Sequence, residues 1–197
     1  MKTKRLAAML AMAGATLCAG ERVTAQKATV TVCMDVDQHV LMGVRPLASA
    51  MFAGIGIGID WREPDSCPKG VGAIQVHLSH APANSNTSSD ALAFAQPYQQ
   101  TIVVFVDRVE QLNRKGVRSA MAHVLVHEIT HVLEGVDRHS ATGIMRARWN
   151  DKDYFEMRRN PLPFADEDVN LIYAGLNASR DALSPALVAA QTKTAYR

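Results

Sequence analysis

Several things are missing from this chain, and each absence closes a class of function. No internal repeat runs through the 197 residues. The main apolar stretch, Leu6 to Ala19, holds roughly 14 residues, short of the ~20 that a bilayer span needs. Basic residues do not gather into a block beyond short pairs such as Arg158-Arg159, so nucleic-acid binding has no electrostatic support. Glycines interleave with Ile55, Ile57 and Ile59, but the third position of a dinucleotide loop is missing and no helix follows. A Gly-x-Ser-x-Gly elbow, the mark of many serine hydrolases, is also lacking. Cysteine is scarce, with three residues.

What is present begins with a leader. Lys2, Lys4 and Arg5 precede the apolar run, and small residues lead to Val23-Thr24-Ala25. That order is expected of a secretory signal peptide, residues 1–25, with an uncleaved anchor as the alternative. The leader carries four of the 21 basic residues and one of the 19 acidic ones, which leaves 17 against 18 and a net charge near −1. The expected mature protein is therefore secreted or periplasmic, with no membrane anchor after cleavage and no nucleic-acid partner. Its 172 residues suffice for one core, expected over 26–180, followed by a weakly patterned tail at 181–197. Cys33 and Cys67 remain after cleavage, and an oxidising compartment favours one disulfide between them over two buried thiols.

Strand and helix signals alternate along the domain. Val30, Val32, Met34 and Val36 alternate with Thr29, Thr31, Cys33 and Asp35, the pattern of a half-buried strand. A helix is expected from about Gln38 to Phe52, its start blurred by Gly43 and Pro46. Strands follow at Ile55–Trp61 and Val71–Leu78, with an exposed loop at 81–90. Thr101–Asp107 is apolar on both faces and reads as a strand covered from both sides. Arg118–Glu134 reads as a helix closed by Gly135, and Asp166–Leu176 as another with acidic residues in its first turn.

The chemistry lies at His127-Glu128-Ile129-Thr130-His131. Two histidines four apart on a helix share a face about one turn, ~5.4 Å, apart and can converge on one zinc ion. Glu128, offset by about 100°, stays beside the metal as a base for its water. Random placement yields this pattern in ~1% of comparable chains, so the pattern by itself is suggestive only. Met121, Leu125, Ile129, Val132 and Leu133 make the helix apolar nearly all round and hence buried, and buried histidines and carboxylates need partners that a metal supplies. His123 shares the face but lies eight residues from His131, ~12 Å along the axis, and reads as a packed, hydrogen-bonded histidine. His77 and His80 read as surface residues.

A catalytic zinc site needs a third protein ligand. Glu134 is ~10 Å up the axis from His127 and too far. Beyond the turn allowed by Gly135 the candidates are His139, preferred for its ligand type, Asp137, and Glu156 on a possible later helix.

The run from His127 to His139, followed by Gly143-Ile144-Met145, resembles the metzincin clan of zinc peptidases, whose motif is H-E-x-x-H-x-x-G-x-x-H/D with a methionine turn beyond it. The resemblance covers about residues 118–149. It implies His127, His131 and His139 as ligands, Glu128 as general base, Gly135 as hinge and Met145 as the turn methionine. Here the glycine comes one residue late and the last histidine two, so that strict alignment places Asp137 at the third-ligand position. The resemblance also implies an α+β, zincin-like fold, with a mixed twisted sheet packed on a long N-terminal helix and a central active-site helix, and a short C-terminal helical subdomain. It implies an edge strand that pairs with extended substrate, for which 91–98 and 71–78 are candidates. Tyr154 is a candidate oxyanion donor, against its reading as a core tyrosine. The implied activity is zinc-dependent hydrolysis of peptide bonds by an endopeptidase, with peptide or protein substrates. The alternative is a non-catalytic zinc-binding module.

Overall fold

The computed structural model describes residues 28–34, 42–68, 72–80, 91–112 and 115–194, the stretch from 183 onward as backbone alone. The expected leader, Asp35, Val36, residues 38–41, Val71 and the 81–90 loop lie outside the described residues. Among the described residues ten elements of regular structure follow one another, joined in two places by single 3₁₀ turns. These are β1 (Ala28–Met34), α1 (Val44–Ala53), β2 (Ile57–Arg62), β3 (Ala73–Ser79), β4 (Ala93–Gln96), β5 (Thr101–Phe105), α2 (Val106–Leu112), α3 (Val117–Glu134), α4 (Asp151–Met157) and α5 (Asp166–Thr194).

The strands form one mixed sheet in the order β2-β1-β3-β5-β4. All neighbours are parallel except β4, which runs antiparallel along one edge of β5. Register keeps like with like: Val32 stands beside Ile74, and Val76 beside Ile102. One face therefore carries Val30, Val32, Met34, Ile57, Ile74, Val76, Ile102 and Val104, all buried. Thr29 and His77 on the opposite face are exposed, so this mostly parallel sheet is apolar chiefly on one side. β3 is flanked on both sides and cannot accept another strand, whereas β4 lies at an edge.

Against the apolar face lie α1 and α3, and α5 crosses α3. Every residue of α3 from Ala120 to His131 is buried, as expected of a helix apolar on nearly all sides. Fully buried Leu125 and Ile129 each contribute about 1.5–3 kcal/mol by leaving water. No helix among the described residues is long and apolar enough to cross a membrane.

Three elements differ from their expected extent. The strand at Thr101–Asp107 ends at Phe105, because Val106 and Val109 are both buried and their spacing of three turns the chain into α2. Val103, expected to be covered, is only half-buried. Helix α5 begins at Asp166 as expected and runs on to Thr194, through residues that read as a weakly patterned tail. Helix α1, expected from about Gln38, starts at Val44 after a turn at 42–43, and Pro46 falls in its first turn, where a missing N–H costs no helical bond.

Cys33, at the end of β1, is bonded to Cys67, with Cα atoms 5.8 Å apart and 34 residues of separation. Closing a loop of that length removes unfolded-chain entropy worth about 4 kcal/mol. The Gln75 amide donates to the Cys67 sulfur at 2.9 Å, which ties the bridge to β3.

Candidate metal centre

Helix α3 sets His127 and His131 on one face, ring centres 4.7 Å apart and nearly edge to face. His127 Nδ1 lies 2.9 Å from the Ile144 carbonyl, and His131 Nδ1 lies 3.4 Å from that of Val136. A carbonyl can only accept, so each ring carries its proton on Nδ1 and Nε2 is a bare lone pair. The two Nε2 atoms face each other at 3.1 Å. With no hydrogen between them they repel, and a shared cation removes the repulsion. Nitrogens bound at ~2.05 Å to a tetrahedral zinc stand ~3.3 Å apart. The donor set fits such an ion.

Gly135 ends α3 with φ at 69°, a conformation in which a side chain is strained. The chain then doubles back and brings the His139 ring 5.2 Å from that of His127 and 5.0 Å from that of His131. One ligand atom from each of the three rings lies within 4.8 Å of the others. His127 and His131 are buried and His139 is exposed, which leaves the group open to solvent on one side. Asp137 is exposed and, like Glu156 on α4, stands outside this group.

The turn that carries Ile144 and Met145 supplies one of the carbonyls. Gly143 has φ at 74°, and a Cβ there collides with the Pro163 carbonyl. The turn is held by Ile144 N–H donating to Pro163 O at 2.9 Å and Ser140 N–H donating to Met145 O at 2.8 Å. Met145 is fully buried, and the carbonyl just before it receives the His127 proton.

Burial sets the protonation states. It pushes His127 down to about 3, further lowered by His131 and His139 and opposed by the Ile144 carbonyl. His131 is also lowered, again chiefly by burial and then by His139. Neutral imidazoles are the form that binds a metal. Glu128 is pushed up to about 8, first by burial and then by Asp137, against the backbone N–H of Ala95 that donates to it. That N–H belongs to β4, so the edge strand runs beside the acid of the motif.

His123 is a closed case. Its Nδ1 donates to Ser119 O at 2.7 Å, and its Nε2 accepts from Leu162 N–H at 3.0 Å. Both nitrogens are consumed by backbone, and burial pushes the ring down to about 4. Elsewhere, His77 is exposed on β3 and His80 meets Asp107 at 3.2 Å.

Trp149, Arg138 and Asp168 lie at the site without having carried a sequence signal, and Tyr154, the candidate oxyanion donor, stands beside Trp149. Trp149 sets its ring nearly perpendicular to that of His127, centres 5.5 Å apart, and touches Tyr154 at 6.3 Å. Tyr154 is half-buried there, and burial pushes its phenol up to about 12. Arg138 and Asp168, thirty positions apart, pair beside His139 at 2.9 Å.

Comparison with solved structures finds the same architecture. An archaemetzincin from Methanopyrus kandleri superposes with a TM-score of 0.56 at 13% identity, over 76% of this chain and 96% of that one. The chain has the archaemetzincin fold. A zinc-dependent peptidase from Methanocorpusculum labreanum matches at 0.52 and 14% identity, over 73% of this chain and 99% of that one. An archaemetzincin from Archaeoglobus fulgidus, complexed with malonate, matches at 0.50 and 14% identity with the same coverage. No protein-family model and no curated protein sequence matches the chain. The zincin-like α+β architecture implied by the motif is thus the one observed, and the three-histidine group lies in it.

Proposed function

We propose that this protein is an exported zinc-dependent endopeptidase. The observation that carries the reading is the convergence of ligand atoms from His127, His131 and His139 to within 4.8 Å, with Glu128 buried next to two of them on the same helix. A fold shared with zinc-dependent peptidases supports it. Zinc held by the three imidazoles supplies a Lewis acid that polarises the scissile carbonyl and eases ionisation of water.

The rest falls to the chain's own groups. Burial pushes Glu128 up to about 8, and a dication held by the neighbouring imidazoles would favour its charged form. The Glu128 carboxylate then takes a proton from the attacking water and passes it to the leaving amine nitrogen. Hydrogen bonds from Nδ1 to Ile144 and Val136 aim the first two imidazoles. Of the two candidate edge strands, β3 is paired on both sides and β4 lies at the sheet edge among the described residues, so an extended substrate would pair with the main chain of β4. Export rests on the order of charge, apolar run and small residues in the leader, and the Cys33–Cys67 bond fits an oxidising compartment.

The test is zinc per chain together with hydrolysis of an unfolded protein substrate, for the wild type and Glu128→Gln. One zinc in each, with kcat about 10²–10⁴-fold lower in the variant, is expected. A chain that takes up no zinc overturns the proposal. Zinc uptake with equal rates in the two proteins removes Glu128 as the base, and zinc without any hydrolysis leaves a metal-binding module.

A further inference from the structure

The three imidazoles are not held in the same way. His127 and His131 ride on a rigid helix, and each ring is tethered through Nδ1 to a carbonyl. His139 lies in a turn, is exposed, and packs against the other two rings, with no hydrogen bond of its own ring among the described residues. Something other than its own hydrogen bonds must set where it points.

Its sequence neighbours supply the answer. Arg138, on one flank, directs a guanidinium nitrogen to Asp168 Oδ1 at 2.9 Å and another to Ser140 Oγ at 3.0 Å. Ser140, on the other flank, donates its hydroxyl to the same Asp168 oxygen. Asp168 is fully buried near the start of α5, and its second oxygen accepts from Ala165 N–H at 3.0 Å. The Ser140 backbone is tied in turn to Met145 O at 2.8 Å. Both flanks of His139 therefore close on one buried, fully engaged carboxylate. Glu167 also reaches Arg138, at 2.9 Å, but it is 73% exposed and such a pair adds little. Glu134 lies farther off, at 3.5 Å.

Resting on the zinc reading above, we propose that Arg138, Ser140 and Asp168 form a clamp that positions His139 as the third metal ligand. Arg138 and Ser140 do not touch the ion in this scheme. They act through His139, by removing the freedom of the turn that carries it. Outer-shell groups of this kind change metal affinity by roughly 10–100-fold when removed.

The experiment measures zinc dissociation constants for the purified chain by competition with a chromophoric chelator, and visible spectra of the cobalt-loaded protein. The variants are Arg138→Gln, Ser140→Ala, His139→Ala, the double variant Arg138→Gln/His139→Ala, and Tyr173→Phe. The last removes a bond from α5 to Ile55 O at 2.7 Å, away from the turn, and serves as a control for loss of helix anchoring. Arg138→Gln is expected to weaken zinc by about 10–100-fold and to move the cobalt spectrum toward that of His139→Ala. Ser140→Ala should weaken it several-fold, Tyr173→Phe not at all. Once His139 is absent, Arg138→Gln should add less than about threefold, because it acts through that residue. If Arg138→Gln does not fold, Ser140→Ala decides the matter. Unchanged affinity in the clamp variants, with His139→Ala weakened, overturns the clamp and leaves the zinc reading intact. So does a fully additive double variant. Unchanged affinity in His139→Ala removes the third ligand, and the clamp falls with it.

Discussion

Helix α3 carries three histidines at four-residue spacing, and two regions of the same helix treat them in opposite ways. Near its start, His123 spends both ring nitrogens on backbone partners, Ser119 O and Leu162 N–H. One and two turns later, His127 and His131 spend only Nδ1 and leave Nε2 facing Nε2 at 3.1 Å. Residue type, helix and burial are shared. The difference lies in what the rest of the chain brings to the second nitrogen: a backbone donor in one case, two further imidazoles in the other. A histidine closed by the protein is structural, and one left open toward its like is a place for a cation.

The largest effect that can break this comparison is loss of an open histidine. Zinc bound by four ligands is worth about 10–16 kcal/mol, so removing one costs roughly a quarter of that. His131→Ala should therefore weaken zinc by on the order of 10²–10³-fold in a chelator competition. His123→Gln should leave zinc affinity within about threefold. Equal losses in both variants would erase the distinction.

Acid comes next. His123 is held neutral in the folded chain down to about 4, against an ordinary value of 6.5. Between those values the unfolded state takes the proton and the folded state does not. Stability from this group is complete above about pH 6.5 and falls by about 3 kcal/mol as pH drops to about 4. In the zinc-free protein His127, pushed down to about 3, steepens the same decline. Glu128 and Glu134, pushed up to about 8 and about 7, act in the opposite sense over this range. The His123 contribution is therefore read as the difference in urea midpoints between the zinc-free wild type and His123→Gln at pH 7 and 4.5, the wild type losing more (or gaining less) stability on acidification.

His123→Leu should cost about 2 kcal/mol, because Leu162 N–H loses its acceptor and Ser119 O one of its donors in a dry interior. Thermal melts read that loss, and zinc per chain should not change. The smallest effect belongs to Thr130, a buried residue of the same helix whose hydroxyl donates to Val126 O at 2.7 Å. Thr130→Val should shift stability by about 1 kcal/mol or less and leave the metal untouched. A drop in zinc affinity from either change would mean that the helix transmits strain to the site.

Much of the fold was readable wherever a period repeats. Alternation in β1, the all-round apolar surface of α3 and the acidic first turn of α5 each followed from spacing. What escaped was short or switched period midway. β4 has four residues, too few for an alternation to register, and 91–98 stood as a candidate edge strand only through the resemblance. α2 continues the apolar run of β5 with a change of period, and so Val106 and Asp107 read as strand. The capping box of α4, in which Asn150 and Asp153 bond each other's backbone N–H groups, was a local signal that the reading of Glu156 touched without using.

The sequence alone determined the pair His127 and His131, because a four-residue step on a helix fixes relative placement without help from the rest of the chain. It also determined that Glu128 stands beside them, and that His123 lies too far along the axis to share their ion. Only the tertiary structure decided between His139 and Asp137 as the group brought to the two imidazoles, since the path of a turn depends on what anchors it. That anchor is Asp168, which is far along the chain and carries no local pattern. The edge position of β4 and the Cys33–Cys67 bond were likewise settled by packing, because strand order and sulfur proximity are properties of the assembled sheet.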